Sequence, residues 1–89
     1  MKYQPAPHLL VQKIHDETVL LNVETNICFG LDDVGTRMWE ALTTAGTVEE
    51  AAAVLSSYYE VDPEELRRDL AELARRLAEQ DLLQVAVEA

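Results

Sequence analysis

The first third of the chain has the residue types and the spacing of short β-strands. Val, Leu, Ile and Thr are frequent in residues 9–31, and these residue types favour strands. Polar stretches interrupt the segment twice, which predicts strands at residues 9–14, 18–21 and 27–31. Asn26 can adopt the left-handed conformation that closes a bulged hairpin. Connections this short force neighbouring strands to be antiparallel, so the pattern predicts a meander.

Beyond residue 31, apolar residues recur at helical spacing, and capping signals divide the pattern into three helices. The first helix begins at Asp32 or Asp33 and ends at Gly46, because aspartate favours the N-cap and glycine the end of a helix. The second helix begins with a capping box, Thr47-Val48-Glu49-Glu50. The third begins with an aspartate cap followed by a proline and two acidic residues, Asp62-Pro63-Glu64-Glu65. The third helix could extend to Gln80 or Asp81.

The two ends of the chain are less strongly patterned. Residues 1–7 contain two prolines and are interpreted as an extended arm, while residues 82–87 either finish the third helix or add a short strand. The order β-β-β-α-α-α predicts an α+β domain in which a three-stranded antiparallel sheet precedes three helices. This arrangement resembles a winged helix-turn-helix. With 89 residues, the chain is expected to be a single domain, residues 1–89, with its core at about residues 9–81.

The charge argues against the usual partner of a winged helix. Seventeen acidic residues against seven Lys and Arg give a net charge of -10, which would repel DNA, RNA and an anionic membrane and attract a cationic partner. There is no apolar run long enough to span a membrane and no secretory signal, so no membrane partner is expected. A lone cysteine, Cys28, fits a reducing cytoplasm.

The sequence offers no convincing catalytic or metal-binding group. A cysteine buried in a strand is the simplest interpretation of Cys28. His8 and His15 lie at opposite ends of the first strand, too far apart to share a metal, and are expected to face solvent. Three acidic pairs fall at helix starts, where capping explains them: Asp32-Asp33, Glu49-Glu50 and Glu64-Glu65. There is no nucleotide-binding glycine motif. We therefore expect no enzyme, no cofactor and no metal.

The third strand is a candidate binding edge. Residues 27–31 contain no charge, and an unguarded edge strand invites pairing with another chain. The long third helix could form the wall of a groove beside that edge, in which strand addition would bind a peptide. Two alternatives remain open at this point. The edge could be covered by the C-terminal segment or by a second copy, or the domain could be an unusual winged helix that binds or mimics DNA.

Three segments together resemble the pattern of PqqD-like proteins: Asn22-Val23-Glu24-Thr25-Asn26, Leu31-Asp32-Asp33-Val34-Gly35-Thr36-Arg37-Met38-Trp39 and Gly46-Thr47-Val48-Glu49-Glu50. In that pattern a hairpin turn and an aromatic strand precede L-[ND]-x-x-[GA]-x-x-[IM]-W and then G-[TS]-x-x-E. The resemblance covers roughly residues 9–81. Asp32 replaces a common asparagine and Asn26 a common glycine, and both keep the capping or turn chemistry. Gly35 is interpreted as a site of close packing.

The resemblance implies a RiPP recognition element, a non-catalytic domain that binds the leader segment of a ribosomally synthesised precursor peptide. The leader would add as a strand to the third strand, against the third helix. The implied binding residues come from these two elements: Asn26, Ile27, Cys28, Phe29, Gly30, Leu66, Asp69, Leu70, Leu73, Arg76 and Leu77. Each of the four leucines is either core or groove wall, and Asp69 and Arg76 could pair with charged leader residues or be merely solvated.

The resemblance also implies partners. A free-standing domain of this size is most similar to the one used in lasso-peptide biosynthesis, which works with a separate leader peptidase and an ATP-dependent cyclase. The alternative is a PqqD-type chaperone that presents its precursor to a radical SAM enzyme in PQQ biosynthesis. Residues 49–81 hold ten acidic residues and four arginines, a net charge of -6, so a cationic leader is expected.

Overall fold

The computed structural model describes residues 2–86. The elements follow in the order β1 (Lys2–Pro5), β2 (Leu9–Ile14), β3 (Glu17–Asn22), β4 (Ile27–Leu31), α1 (Asp33–Ala45), α2 (Val48–Ser56), α3 (Pro63–Glu79) and β5 (Leu83–Ala86). The predicted sheet of three strands followed by three helices is confirmed. Two additional strands, one at each end of the chain, complete the fold.

Strands β2, β3 and β4 form an antiparallel meander in the order β2-β3-β4. The register places Val11, Leu20 and Phe29 in one row across the sheet. Asn26 has a φ of 63°, so the predicted left-handed residue closes the hairpin between β3 and β4. The turn therefore fixes the register of β4, which decides which of its residues face the helices.

The two ends of the chain pair with each other, which the sequence did not predict. Residues 2–5 are not an arm, because β1 pairs antiparallel with β5 and forms a separate two-stranded sheet. The backbone N–H of Tyr3 also donates to the Gly46 carbonyl at 2.6 Å. Of the two interpretations of residues 82–87, the short strand is correct through Ala86, and Val87 lies outside the described residues.

All three helices begin at the predicted caps. The Asp32 carboxylate accepts from the backbone N–H of Gly35 at 2.7 Å, the Thr47 hydroxyl from Glu50 at 3.1 Å, and the Asp62 carboxylate from Glu64 at 3.1 Å. Helix α1 stops at Gly46, whose φ is 88°. Helix α3 ends at Glu79, slightly before the predicted limit. These local bonds satisfy backbone groups that helix ends would otherwise leave unpaired.

The core lies between one face of the meander and the three helices. Its buried residues include Leu20 and Leu31 from the sheet, Trp39 and Leu42 from α1, and Leu70 from α3. The core extends past α3, because Leu82 and Leu83 are also buried in it. Gly35 fits the predicted close packing, since a Cβ there would lie 3.2 Å from Leu31 Cδ2 and 3.2 Å from Asp32 Oδ1. Within residues 2–86, burial on this one face leaves the other face of the meander exposed.

Candidate functional site: the groove between β4 and α3

The outer edge of β4 is unpaired within residues 2–86. Strand β4 bonds to β3 on one side only, and β5, the segment that could have covered its other side, pairs with β1 instead. The sequence left open whether the C-terminal segment covers this edge, and through Ala86 it does not. The edge consists of Ile27, Cys28, Phe29, Gly30 and Leu31 and thus presents backbone donors and acceptors with no charged side chain among them.

Alternate residues of β4 face opposite sides of the sheet. Ile27 and Phe29 are half-buried and pack against the core on the helix side. Cys28 and Gly30 point the other way and are exposed. The expectation that Cys28 is buried was therefore wrong, because nothing within the described residues covers that face of the sheet. Asn26, in the turn before β4, is also exposed.

Helix α3 contributes four leucines at helical spacing, and the structure distinguishes between them. Leu70 and Leu77 are fully buried and Leu66 is 6% exposed, so these three lie in the core. Leu73 is half-buried and packs against the core from its margin. Of the four, Leu73 is the one that presents part of its side chain at the surface. Sequence periodicity could not separate them, since all four fall on one stripe.

Arg76 connects α3 to β4. Its guanidinium carbon lies 5.5 Å from the centroid of the Phe29 ring, within the range of a cation–π contact. Asp69 precedes Arg76 by seven residues, which places it on the same side of the helix and about 10 Å along the axis. Both side chains are exposed. We define the β4–α3 groove as the surface between Ile27 and Phe29 on β4 and Asp69, Leu73 and Arg76 on α3.

The neighbouring arginine of α3 is engaged elsewhere. Arg75 donates to Glu72 Oε1 and to Glu79 Oε1, each at 2.6 Å. The hydrogen bond from Arg75 lowers the pKa of Glu72, and the same bond raises the pKa of Arg75. Arg76 forms no ion pair with any of residues 2–86. It is therefore the arginine of this pair whose charge is available beside the groove.

An apolar cavity continues the groove past the end of β4. It has a volume of about 180 Å³ and lies between the start of α1, the end of α2 and the first half of α3. Its lining includes Val34, Met38, Tyr59, Val61, Leu66 and Asp69. Sequence reasoning missed this cavity, although Val34 and Met38 stand four residues apart in the motif after β4, a spacing that places them on one helix face. Such a cavity could hold one side chain of a bound peptide.

The opposite edge of the meander lacks these features. Strand β2 is exposed along almost its whole length, with only Leu9 half-buried. Lys13 lies within it and forms an ion pair with Glu40 at 3.0 Å. A lysine on an edge strand discourages pairing with another chain. The β4 edge, with a helix beside it and no charge on it, is therefore the better of the two for strand addition.

The groups considered for other chemistry are two histidines and three acidic pairs. His8 and His15 are both exposed, as predicted, and His8 Nε2 lies 3.2 Å from Glu24 Oε2. The acidic pairs stand at the helix starts. In the described part of the chain, no group of three His, Cys, Asp or Glu side chains is arranged to hold a metal ion. Among residues 2–86 there is also no helix with the length and hydropathy needed to span a membrane.

Comparisons with known proteins identify the family and similar folds. The family described as coenzyme PQQ synthesis protein D (PqqD) matches residues 17–83. The fold is similar to that of TbiB1 in complex with the TbiA(beta) leader peptide, with a TM-score of 0.85, 34% identity, and coverage of 96% of this chain and 99% of that chain.

A second solved structure has the same fold. It is lasso peptide synthetase B1 complexed with the leader peptide, with a TM-score of 0.84, 24% identity, and coverage of 94% of this chain and 99% of that chain. At that identity the likeness concerns the fold alone. No curated protein matches the sequence.

Proposed function

This chain belongs to the PqqD family, and on that premise we propose that it binds the leader segment of a ribosomally synthesised precursor peptide. The leader adds as a strand to the free edge of β4, between β4 and α3. The domain acts as a recognition element without catalytic chemistry. It holds the precursor for the enzymes that modify and cleave it.

The observation that carries this proposal is the unpaired edge of β4 beside α3. A peptide in that position gains main-chain hydrogen bonds from β4, while its alternate side chains point toward the helix. The 34% identity to TbiB1, a protein solved with a leader peptide, supports the same use of this fold, because the two chains match over nearly their full lengths.

Each groove residue has a distinct part in the proposed complex. The backbone from Asn26 to Gly30 supplies the pairing. Phe29 and Leu73 provide apolar surface for the leader side chains that face the helix, since both are half-buried and so partly accessible. Asp69 and Arg76 are exposed, seven residues apart on α3, and would attract leader residues of opposite charge at two different positions.

The remaining predicted residues are three leucines of α3 and Gly30 of β4. Leu70 and Leu77 are fully buried, so we assign them to holding α3 in place rather than to contact with the leader. Leu66 is 6% exposed and packs in the core, but it also lines the apolar cavity at the end of the groove. Gly30 has open space around its Cβ position, with no atom within 4 Å. Packing within the domain thus does not require a glycine there, which fits a role in letting another backbone approach.

We place the chain in lasso-peptide biosynthesis, where it would deliver the leader to a separate leader peptidase and then to an ATP-dependent cyclase. The similarity to TbiB1 and the resemblance of the sequence support this choice. The free thiol of Cys28 fits work in the reducing cytoplasm. The family match favours a second candidate, a PqqD-type chaperone for a radical SAM enzyme in PQQ biosynthesis.

The proposal is tested by titrating a fluorescent leader peptide of the lasso type into the purified domain. We expect saturable binding at roughly micromolar concentration or below. A scrambled peptide of the same composition is the control and should bind at least about tenfold more weakly. Absence of binding at tens of micromolar would reject the proposal. Binding of a PQQ-type precursor in preference to the lasso-type leader would select the second candidate.

The same purified domain can be tested for the two other functions that the sequence left open, DNA binding and self-pairing. Retention of a DNA duplex at moderate salt would support a nucleic-acid-binding winged helix, which the net charge of -10 opposes. A dimer that forms with rising concentration and is not dissolved by leader peptide would indicate that β4 pairs with a second copy instead.

A further inference from the structure

A second apolar cavity lies beside the cavity at the end of the groove. It has a volume of about 320 Å³ and lies between the middle of α1 and the turn that follows α2. Its lining includes Arg37, Ala41, Thr44, Val54, Tyr58 and Tyr59. We call it the α1–α2 cavity, and the cavity at the end of the groove the first cavity. The function proposed above leaves the α1–α2 cavity without a role.

The exposed apolar side chains of the helical part of the chain gather at these two cavities. Tyr58 is 76% exposed and Val54 47%, and both line the α1–α2 cavity. Val34 is 53% exposed and Val61 40%, and both line the first cavity. These four are the exposed large apolar side chains between residues 33 and 79. Apolar side chains that gather at one place on the surface are typical of a binding site.

The two cavities adjoin each other. Arg37, Leu55 and Tyr59 line both of them. Along α1, the first cavity takes its lining from residues 34–38 and the α1–α2 cavity from residues 37–44, so their centres are offset by roughly 6–7 Å along the helix axis. About two residues of an extended chain cover that distance. A peptide that occupies the first cavity therefore needs only a short extension to reach the second.

The direction of the bound leader decides which part of it reaches the α1–α2 cavity. Antiparallel pairing is slightly more stable per residue than parallel pairing, so we take the leader to run opposite to β4. Its N-terminal part then leaves the sheet at the Leu31 end, where β4 is followed by α1. The first cavity lies past that end, and the α1–α2 cavity comes next along α1.

The charge around the two cavities favours the leader over a second copy of this chain. Glu60 and Asp62 are exposed on either side of Val61 in the sequence, and Asp69 lines the first cavity. A cationic leader would be attracted to these carboxylates. Two copies of the chain would each carry a net charge of -10, and their repulsion disfavours a dimer.

We propose that the α1–α2 cavity binds a large apolar or aromatic side chain of the leader, at a position N-terminal to the segment that pairs with β4. This inference rests on the proposed function, because it assigns a further contact to the same peptide. The leader is then held by its backbone at β4 and by a side chain beyond the first cavity. An aromatic side chain suits a lining of Tyr58, Tyr59 and Arg37, since ring pairs and cation–π contacts both stabilise it.

The test variant carries Val54→Thr and Tyr58→Ser, which reduce the apolar lining of the α1–α2 cavity. Both side chains are exposed, and Tyr58 lies beyond the end of α2, so the variant should fold, which a thermal melt checks. The matched control carries Leu10→Thr and Val85→Thr. These two residues are 58% and 42% exposed and line neither cavity.

Each protein is titrated with a set of lasso-type leader peptides that are shortened one residue at a time from the N-terminus. In wild type, we expect the affinity to fall about tenfold when the residue that fills the α1–α2 cavity is removed, and to fall again when the paired residues are lost. The variant should bind the full leader about tenfold more weakly than wild type does and should show no loss at the first of these steps. The control should match wild type throughout.

Methyl NMR of wild type locates the contact directly. The two methyl resonances of Val54 should shift when the full leader is added. They should stay in place when the added peptide lacks the residue whose removal causes the first loss of affinity. A Val54 signal that responds equally to both peptides would contradict a local contact.

Three further results would overturn the inference. Equal affinity of the variant and wild type for the full leader would show that the leader does not use this cavity. An equal loss at the first shortening step in both proteins would show that the removed residue binds elsewhere. A wild-type dimer that the variant dissolves, with leader affinity unchanged, would show that a second copy covers the cavity. Failure of wild type to bind any of the peptides is a different result, because it rejects the proposed function itself.

Discussion

A single buried side chain, Asn22, joins the β3–β4 hairpin to the end of α3. Its Nδ2 donates to the Asp81 carbonyl at 2.7 Å, and its Oδ1 accepts from the backbone N–H of Glu24 at 2.9 Å and of Thr25 at 3.2 Å. Asn22 is 5% exposed. The residue therefore fixes the turn that leads into β4 and also positions the turn that leads into β5.

Replacing this side chain should destabilise the fold. Asn22→Ala removes all three hydrogen bonds and leaves their partners partly buried, which should lower the free energy of unfolding by about 1–3 kcal/mol. Urea denaturation measures the change. Asn26→Gly is the control, because Asn26 is exposed with a φ of 63°, and glycine tolerates that conformation. Equal stability of the two variants would contradict this role for Asn22.

A second residue-scale prediction concerns Asp69. Asp69→Asn removes one negative charge beside the cavity at the end of the groove. If a cationic leader residue lies there, affinity should fall by about two- to fivefold, the range for an exposed ion pair. Glu49→Gln changes the net charge equally, but it lies at the start of α2. Isothermal titration of both variants separates a local contact from a general effect of charge, and identical losses would exclude the local contact.

At the scale of elements, β4 derives its role from its neighbours. Its register is fixed by the hairpin turn on one side and its end by the Asp32 cap of α1 on the other. Helix α3 stands beside it through the contact of Arg76 with Phe29. Strand β2 has no comparable wall and carries Lys13. The two edges of one sheet thus differ in what packs next to them, and only the β4 edge has a helical wall.

Strand addition to β4 predicts a pattern that only backbone pairing can produce. In an added strand, alternate N–H groups bond to β4 and the others point away. A set of leader peptides, each N-methylated at one position, should therefore alternate between weak and unchanged binding along the paired segment. Each lost hydrogen bond should cost about 0.5–1.5 kcal/mol. This scan leaves the protein unaltered, so folding defects cannot account for the result. A flat profile would reject strand addition.

At the scale of the whole molecule, the acidic charge acts on association rather than on the fold. The molecule is flat, with extents of 38 × 37 × 17 Å, and its negative charge is unevenly distributed along the chain. More than half of it belongs to the segment from α2 to the turn after α3, because residues 49–81 carry a net charge of -6. A positively charged leader would experience this field before contact, and salt would screen it.

Stopped-flow association of a lysine-containing leader should therefore depend on ionic strength. Raising salt from about 0.05 M to 0.5 M shortens the screening length to a few ångströms, and the association rate should fall several-fold, with a smaller change in the dissociation rate. A leader in which lysines are replaced by glutamine is the control and should lose most of this dependence. Equal salt dependence of the two peptides would show that electrostatic attraction between the domain and the leader lysines does not speed association.

Much of the fold could be predicted because its signals are local. The caps at Asp32, Thr47 and Asp62 and the left-handed Asn26 each depend on a few neighbouring residues, whose hydrogen bonds form within one turn. The three strands of the meander follow from residue type and short connections. The starts of the three helices and the position of β4, the uncharged strand at the groove, were therefore predictable.

Tertiary structure decided the rest, because each remaining question depends on contacts between distant parts of the chain. The pairing of β1 with β5 places Lys2 opposite Ala86. Residues near either strand in the sequence do not indicate which distant strand it pairs with. The exposure of Cys28 depends on whether anything covers the outer side of the sheet. Likewise the leucine stripe on α3 left open which members are core, and only packing shows that Leu73 lies at the margin.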